Sequence, residues 1–151
     1  MAEAEVRLSA VRGGRKLSQE KPAEILSIEQ QARRWNDYGI GLLEQAQYGP
    51  AAEAFRHAAE LDPTDPNPLV SAAIAEMRTE RFGLDRRQLQ KAADLLGQAL
   101  QLNPNHARAR FYRARVLRSQ GKSDEAASEL ARLSNEYPRD LRISPMTETI
   151  T

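Results

Sequence analysis

The stretch of this 151-residue chain with the most evident chemistry is "ARARFYRARVLR", residues 107–118, where Arg108, Arg110, Arg113, Arg115 and Arg118 surround Phe111 and Tyr112 with no acid among them. Guanidinium forks bind carboxylates and phosphates through paired hydrogen bonds, and aromatic rings stack on bases or pack on apolar side chains. The stretch could therefore grip an acidic peptide or a nucleic acid. The whole chain carries 22 basic and 21 acidic residues, a net charge of +1, so no overall field draws in a polyanion or an anionic membrane. Any attraction has to be local. A helix turns by about 100° per residue, which puts Arg108, Phe111, Arg115 and Arg118 on one face and Arg110 and Arg113 on another. That division weighs against a continuous nucleic-acid track.

Bond-making chemistry has little to work with. There is no cysteine, which excludes disulfides, thiolate metal sites and thiol nucleophiles. The two histidines, His57 and His106, have no nucleophile at a recognisable spacing and are too few for a zinc site, so surface or packing roles are expected. "VRGGRK" at 11–16 does not match G-x-x-x-x-G-K-[ST] and follows no strand pattern. Asp62 and Asp65 flank a turn, where capping accounts for them. The expectation is a chain that is not an enzyme and takes no metal or cofactor. The N-terminal residues are polar and mixed in charge, without an apolar run of signal-peptide or membrane-span length. A cytoplasmic location and no membrane contact are the corresponding expectations.

The elements that would position the arginines are helical. Ala, Leu, Glu, Gln and Arg dominate from about residue 27 to 138, and β-branched runs are few. Breaks at "YGP", "DPTDPNP", "FGLD", "NPN", "QGKSD" and "YPRD" divide this region into helices at about 27–46, 50–61, 67–81, 86–102, 107–120 and 123–136. Ser27 with Gln30, and Asp85 with Gln88, have capping-box spacing. Residues 1–26 read as a flexible arm and 141–151 as a disordered tail.

The breaks recur. "LDP" at 61–63, "LNP" at 102–104 and "EYP" at 136–138 place prolines 41 and then 34 residues apart. Small residues let paired helices approach closely, large ones fill the gap, and a proline after each second helix forces the turn. Trp35, Tyr38, Gly39, Leu42, Ala51, Phe55, Ala58 and Pro63 fall at the positions of W-x2-L-G-x2-Y, A-x3-F and P in a 34-residue unit. On these residues the chain resembles the tetratricopeptide repeat (TPR) family. Units at about 32–65, 66–106 and 107–140 make up a single domain over 27–140. The second unit has a seven-residue insertion near 81–88, expected as a surface extension or a partner-contacting corner carrying Phe82 and Leu84. The third departs from the family, with Arg110 and Arg113 standing where bulky apolar residues are preferred.

The resemblance implies an all-α fold, a right-handed superhelical solenoid of three helix-turn-helix hairpins, whose first helices line a concave groove for a peptide or partner protein. Carried onto this sequence, the groove positions are Arg33, Asn36, Ile40 and Leu43, then Asn67, Val70, Ile74 and Met77, then Arg108, Phe111, Arg115 and Arg118. Such a groove, apolar at one end and cationic at the other, suits a partner segment with acidic and apolar residues. Some family members hold a partner's terminal carboxylate with a clamp. Its matching positions here are Asn36, Ile40, Ser71, Arg108 and Tyr112, of which only Arg108 keeps a suitable charge, so that clamp is not expected. The alternatives are RNA binding through the third repeat and self-association through an uncovered stripe of Ala126, Ala127, Leu130 and Leu133. Such a stripe would also fit a chain that is part of a larger protein, or one whose N-terminal arm folds over it.

Overall fold

The computed structural model describes residues 26–79 and 85–138. Their regular structure is six helices: α1 (Ile28–Glu44), α2 (Tyr48–Leu61), α3 (Asn67–Met77), α4 (Arg86–Leu102), α5 (Ala107–Ser119) and α6 (Ser123–Glu136). Two begin as their sequences predict. The Ser27 hydroxyl accepts from the Gln30 amide at 3.1 Å while Gln30 Oε1 accepts from the Ser27 amide at 2.9 Å, and Asp85 with Gln88 repeats this at 2.8 and 3.3 Å. Each box satisfies donors that a helix start leaves unpaired. No helix among the described residues is long and apolar enough to cross a membrane.

The turn inside the first hairpin and the turn inside the third are built alike. The amide of Gln47 donates to the Leu42 carbonyl at 2.9 Å, and the amide of Lys122 donates to that of Leu117 at 2.8 Å. Both close a helix end with a residue in the left-handed region: Ala46 at φ 61° and Gly121 at φ 87°. Leu42 and Leu117 occupy the same repeat position, as do Ala46 and Gly121.

Each helix packs chiefly on its neighbours in sequence, from α1 against α2 through α5 against α6, with a further contact between α3 and α5. This is the one-dimensional stacking of a helical-repeat solenoid. Helix pairs close through small residues facing large ones. Ala51, Ala52, Ala54 and Ala58 of α2 are buried around Phe55, and a Cβ on Gly39 would lie 2.7 Å from the Phe55 ring. Glycine at 39 is what allows that ring to seat. One apolar core runs from Leu42 and Phe55 through Val70, Ile74 and Leu96 to Ala109 and Val116. A smaller cluster of Phe111, Ala114, Leu130 and Leu133 closes the third hairpin.

Two expectations need correction. The third helix ends at Met77 rather than near 81, because the Thr79 hydroxyl donates to the Glu76 carbonyl at 2.7 Å and turns the chain. The Gln88 side chain then donates from Nε2 to Thr79 Oγ1 at 3.0 Å, tying the start of α4 to the end of α3. The α6 stripe is not uncovered: Ala126, Leu130 and Leu133 are fully buried and Ala127 is half-buried, and α5 turns Phe111 and Ala114 onto Leu130 and Leu133. Exposed bulk lies mostly on α1, at Ile28, Trp35 (38%), Tyr38 (58%) and Ile40, with Leu102 and Tyr137 beyond it. The expectations for the 1–26 arm, save Leu26, for Phe82 and Leu84, and for the 141–151 tail fall outside the described residues.

Candidate peptide-binding groove

The twelve positions singled out from sequence divide into accessible and buried sets. On α1, Arg33 and Ile40 are exposed while Asn36 and Leu43 are half-buried. On α3, Asn67 is exposed and Met77 half-buried, but Val70 (0%) and Ile74 (4%) are buried. On α5, Arg108 is exposed, Arg115 and Arg118 are half-buried, and Phe111 retains 7% exposure. Val70, Ile74 and Phe111 are thus core side chains, and the accessible members of the set are the other nine. As the middle helix, α3 is covered by α2 on one side and by α4 and α5 on the other, which takes up Val70 and Ile74. Phe111 is drawn into the third hairpin, where it packs with Ala114, Leu130 and Leu133.

Arg110 is itself buried, and it is held by three charged hydrogen bonds. Its Nε donates to Glu129 at 2.7 Å, and its two terminal nitrogens donate to Glu136 at 2.8 and 3.2 Å. The bonds to Glu136 outweigh the cost of burial and keep the guanidinium protonated. In return, the Arg110 bond holds the Glu136 carboxyl below its ordinary range. Arg132 donates to the other Glu129 oxygen at 2.7 Å. Arg110 is a structural part of the α5–α6 pair.

The remaining cations are differently placed. Among the described residues the arginine ion pairs involve Arg56, Arg110 and Arg132, so the guanidiniums of Arg33, Arg108, Arg115 and Arg118 pair with no described carboxylate. Arg115 lies 5.6 Å from the Tyr112 ring centroid, and Tyr112 meets Phe111 edge-on at 5.2 Å. This cation–π contact fixes the Arg115 head beside an aromatic ring. Tyr112 was not among the sequence-derived groove positions, although its i, i+3 relation to Arg115 is a legible signal.

His106 organises the entry to α5. Its Nδ1 accepts from the Ala109 amide at 3.2 Å and caps the helix. Its Nε2 lies 2.7 Å from Asn67 Oδ1, tying the start of α5 to the start of α3. The two bonds together require the neutral ring with its proton on Nε2. Burial and the nearby Arg108 push its pKa below the ordinary histidine value. Among the described residues no group of three or more His, Asp or Glu side chains could hold a metal ion.

A family model for the tetratricopeptide repeat matches residues 84–145. The segment from the start of α4 through α6 is thus identified as tetratricopeptide repeat. Solved TPR domains share its fold. The first TPR of Spaghetti (RPAP3), bound to the HSP90 peptide SRMEEVD, superposes with a TM-score of 0.71 at 20% identity, covering 81% of this chain and 94% of that one. The Arabidopsis OM64 TPR domain gives 0.71 at 14% identity over 82% and 97%. The Yersinia enterocolitica type III secretion chaperone SycD, in complex with a peptide of the translocator YopD, gives 0.64 at 18% identity over 78% and 90%. Among curated proteins none matches the chain at a significant level. In TPR terms Gly39 with Phe55, and Ala114 with Leu130, are the paired small and large positions that close the first and third hairpins.

Proposed function

We propose that this TPR protein is an interaction adaptor whose concave surface takes an extended partner segment carrying carboxylates and apolar side chains, acting by positioning and not by chemistry. The observation that carries this reading is the set of α5 arginines that pair with no described carboxylate, Arg108, Arg115 and Arg118, with Arg115 held against Tyr112. Arg33, Ile40 and Met77, accessible at the equivalent positions of the other first helices, add one cation and apolar contact. Solved TPR domains of this fold hold peptides, one with the acidic sequence SRMEEVD. The clamp positions Asn36, Ile40 and Ser71 lack its charged and amide groups in combination, so the proposed ligand is an internal acidic–apolar segment and not a terminal carboxylate.

Charge-assisted forks to carboxylates are each worth about 1.5–3 kcal/mol. The experiment is fluorescence anisotropy with a labelled ten-residue peptide of alternating glutamates and leucines, against wild type and the Arg108→Ala/Arg115→Ala/Arg118→Ala variant. Affinity is expected to fall at least tenfold with helical circular dichroism unchanged. Undiminished binding, or preferential capture of a labelled oligouridylate, rules the reading out.

A further inference from the structure

One repeat position is filled in three ways. In the first hairpin it is Trp35, whose indole meets the His57 ring at 4.3 Å. In the third it is Arg110, engaged by Glu129 and Glu136. In the second it is Leu69, shorter than either. There α2 and α4, both packed on α3, leave a cleft of about 420 Å³ with Leu69 in its lining, Ala59 and Pro63 on one wall and Leu95 and Leu102 on the other. Leu102 is 43% exposed at its rim. The cleft lies among the second helices, on the face away from the groove positions.

The rim is polar and acidic. Gln98 and Gln101 line it with carboxamides that bond to no described residue. Arg56 is neutralised twice, by Glu53 at 2.7 Å and by the buried Glu76. Glu60 completes the lining, its nearest basic group being His57 Nδ1 at 3.8 Å. Glu53 and Glu76 on Arg56, with Glu60 in the lining, thus set three carboxylates against one guanidinium along this wall, the opposite balance to the arginines of α5.

We propose that this cleft is a second docking site, for an extended segment that presents a leucine- or phenylalanine-sized anchor flanked by lysine or arginine. The anchor fills the space that Trp35 and Arg110 fill in the flanking repeats and covers Leu102. Gln98 and Gln101 bond the segment's backbone, and Glu60 faces its basic flank. With the groove reading, the adaptor holds an acidic segment on one face and a basic, apolar one on the other. The cleft does not depend on that reading.

The test is an amide NMR titration of the full chain with a ten-residue peptide of two central leucines flanked by lysines, beside a control with aspartates for the lysines. Shifts are expected at Ala59, Leu95 and Leu102 and not at Arg108 or Arg115. Leu69→Trp, the residue the first repeat carries at this position, fills the cleft and is expected to weaken binding at least tenfold. Leu102→Lys, at an exposed site where folding is not at stake, should do the same by charge repulsion and lost apolar contact. Binding within twofold of wild type in both variants overturns the proposal, as does equal binding of the aspartate control. So do cleft shifts that appear on raising protein concentration alone, which would give the site to a second copy, and contacts from residues 1–25 to Leu102 without peptide. Loss of groove binding in the triple arginine variant leaves each of these outcomes unchanged.

Discussion

The first and third hairpins use the same repeat positions to reach the same geometry with different chemistry. In the first, Gly39 gives up its side chain so that the Phe55 ring can lie against the α1 backbone. In the third the equivalents are Ala114 and Leu130, a methyl group facing a smaller partner. Phe111 supplies the missing bulk from one helix turn away, and Arg110 with Glu129 and Glu136 closes the edge that Trp35 closes in the first. What the repeat conserves is the summed volume between two helices. The residue that supplies the volume is free to change, provided its polar groups are paired.

The largest expected effect breaks the first hairpin's solution. Phe55→Ala empties its centre and should cost about 4 kcal/mol in urea denaturation. Gly39→Ala alone pushes a methyl into the ring, an overpacking cost on the order of 2 kcal/mol partly offset by better helix propensity. Combining Gly39→Ala with Phe55→Leu converts the pair into the third hairpin's Ala114–Leu130 arrangement. The double variant should be more stable than the sum of its singles predicts. Strict additivity would mean that the two hairpins do not share a volume rule.

The third hairpin should be the more sensitive to charge. Arg110→Ala strands Glu129 in a largely covered position and is expected to cost about 2–3 kcal/mol, with Arg110→Met recovering part of it. The pH dependence follows from Glu136, whose folded pKa is depressed. Its contribution is present above the unfolded carboxylate value and lost as pH falls through the folded one. Acid titration of wild type should therefore show a loss of stability below about pH 4 that Arg110→Met lacks.

The matching turns offer a smaller effect of opposite sign. Ala46→Gly removes a left-handed alanine and should raise stability by about 1 kcal/mol, while Gly121→Ala should lower it by a similar amount. If both variants destabilise, the two turns are not equivalent. The smallest effect is at the boundary of the second and third repeats. His106 has a folded pKa below its unfolded value, so its cap is fully present above about pH 6.5 and weakens as pH falls through the folded value. His106→Ala should lose about 1 kcal/mol at pH 7.5 and less at pH 5, measured by thermal denaturation.

Much of this architecture was legible because it depends on spacing. Pro63, Pro104 and Pro138 mark the unit, Ser27 with Gln30 and Asp85 with Gln88 mark two helix starts, and Gly39 with Phe55 announces a close helix contact. The proposed groove face was legible only in part. Helical rotation identifies which residues share a face, so Arg108, Arg115 and Arg118 separate correctly from Arg110. It does not report how wide a neighbouring helix is, and so Val70, Ile74 and Phe111 seemed available when α2, α4 and α6 in fact cover them. The Tyr112–Arg115 contact and the His106–Asn67 bridge were hidden for a similar reason. Each depends on side-chain direction, and the second also on the distance between two helices separated by a whole repeat.

By itself the sequence determined the number of helices, their pairing into hairpins, the repeat register and the absence of cysteine chemistry, because these follow from local propensity, capping and periodicity. Only the tertiary structure decided which arginines pair with a described carboxylate, that α6 is covered, and that Leu69 leaves a cleft between α2 and α4. Those outcomes are set by the fit of side-chain volume and charge between helices far apart in sequence, and the same residue type can be buried glue at 110 and exposed at 108.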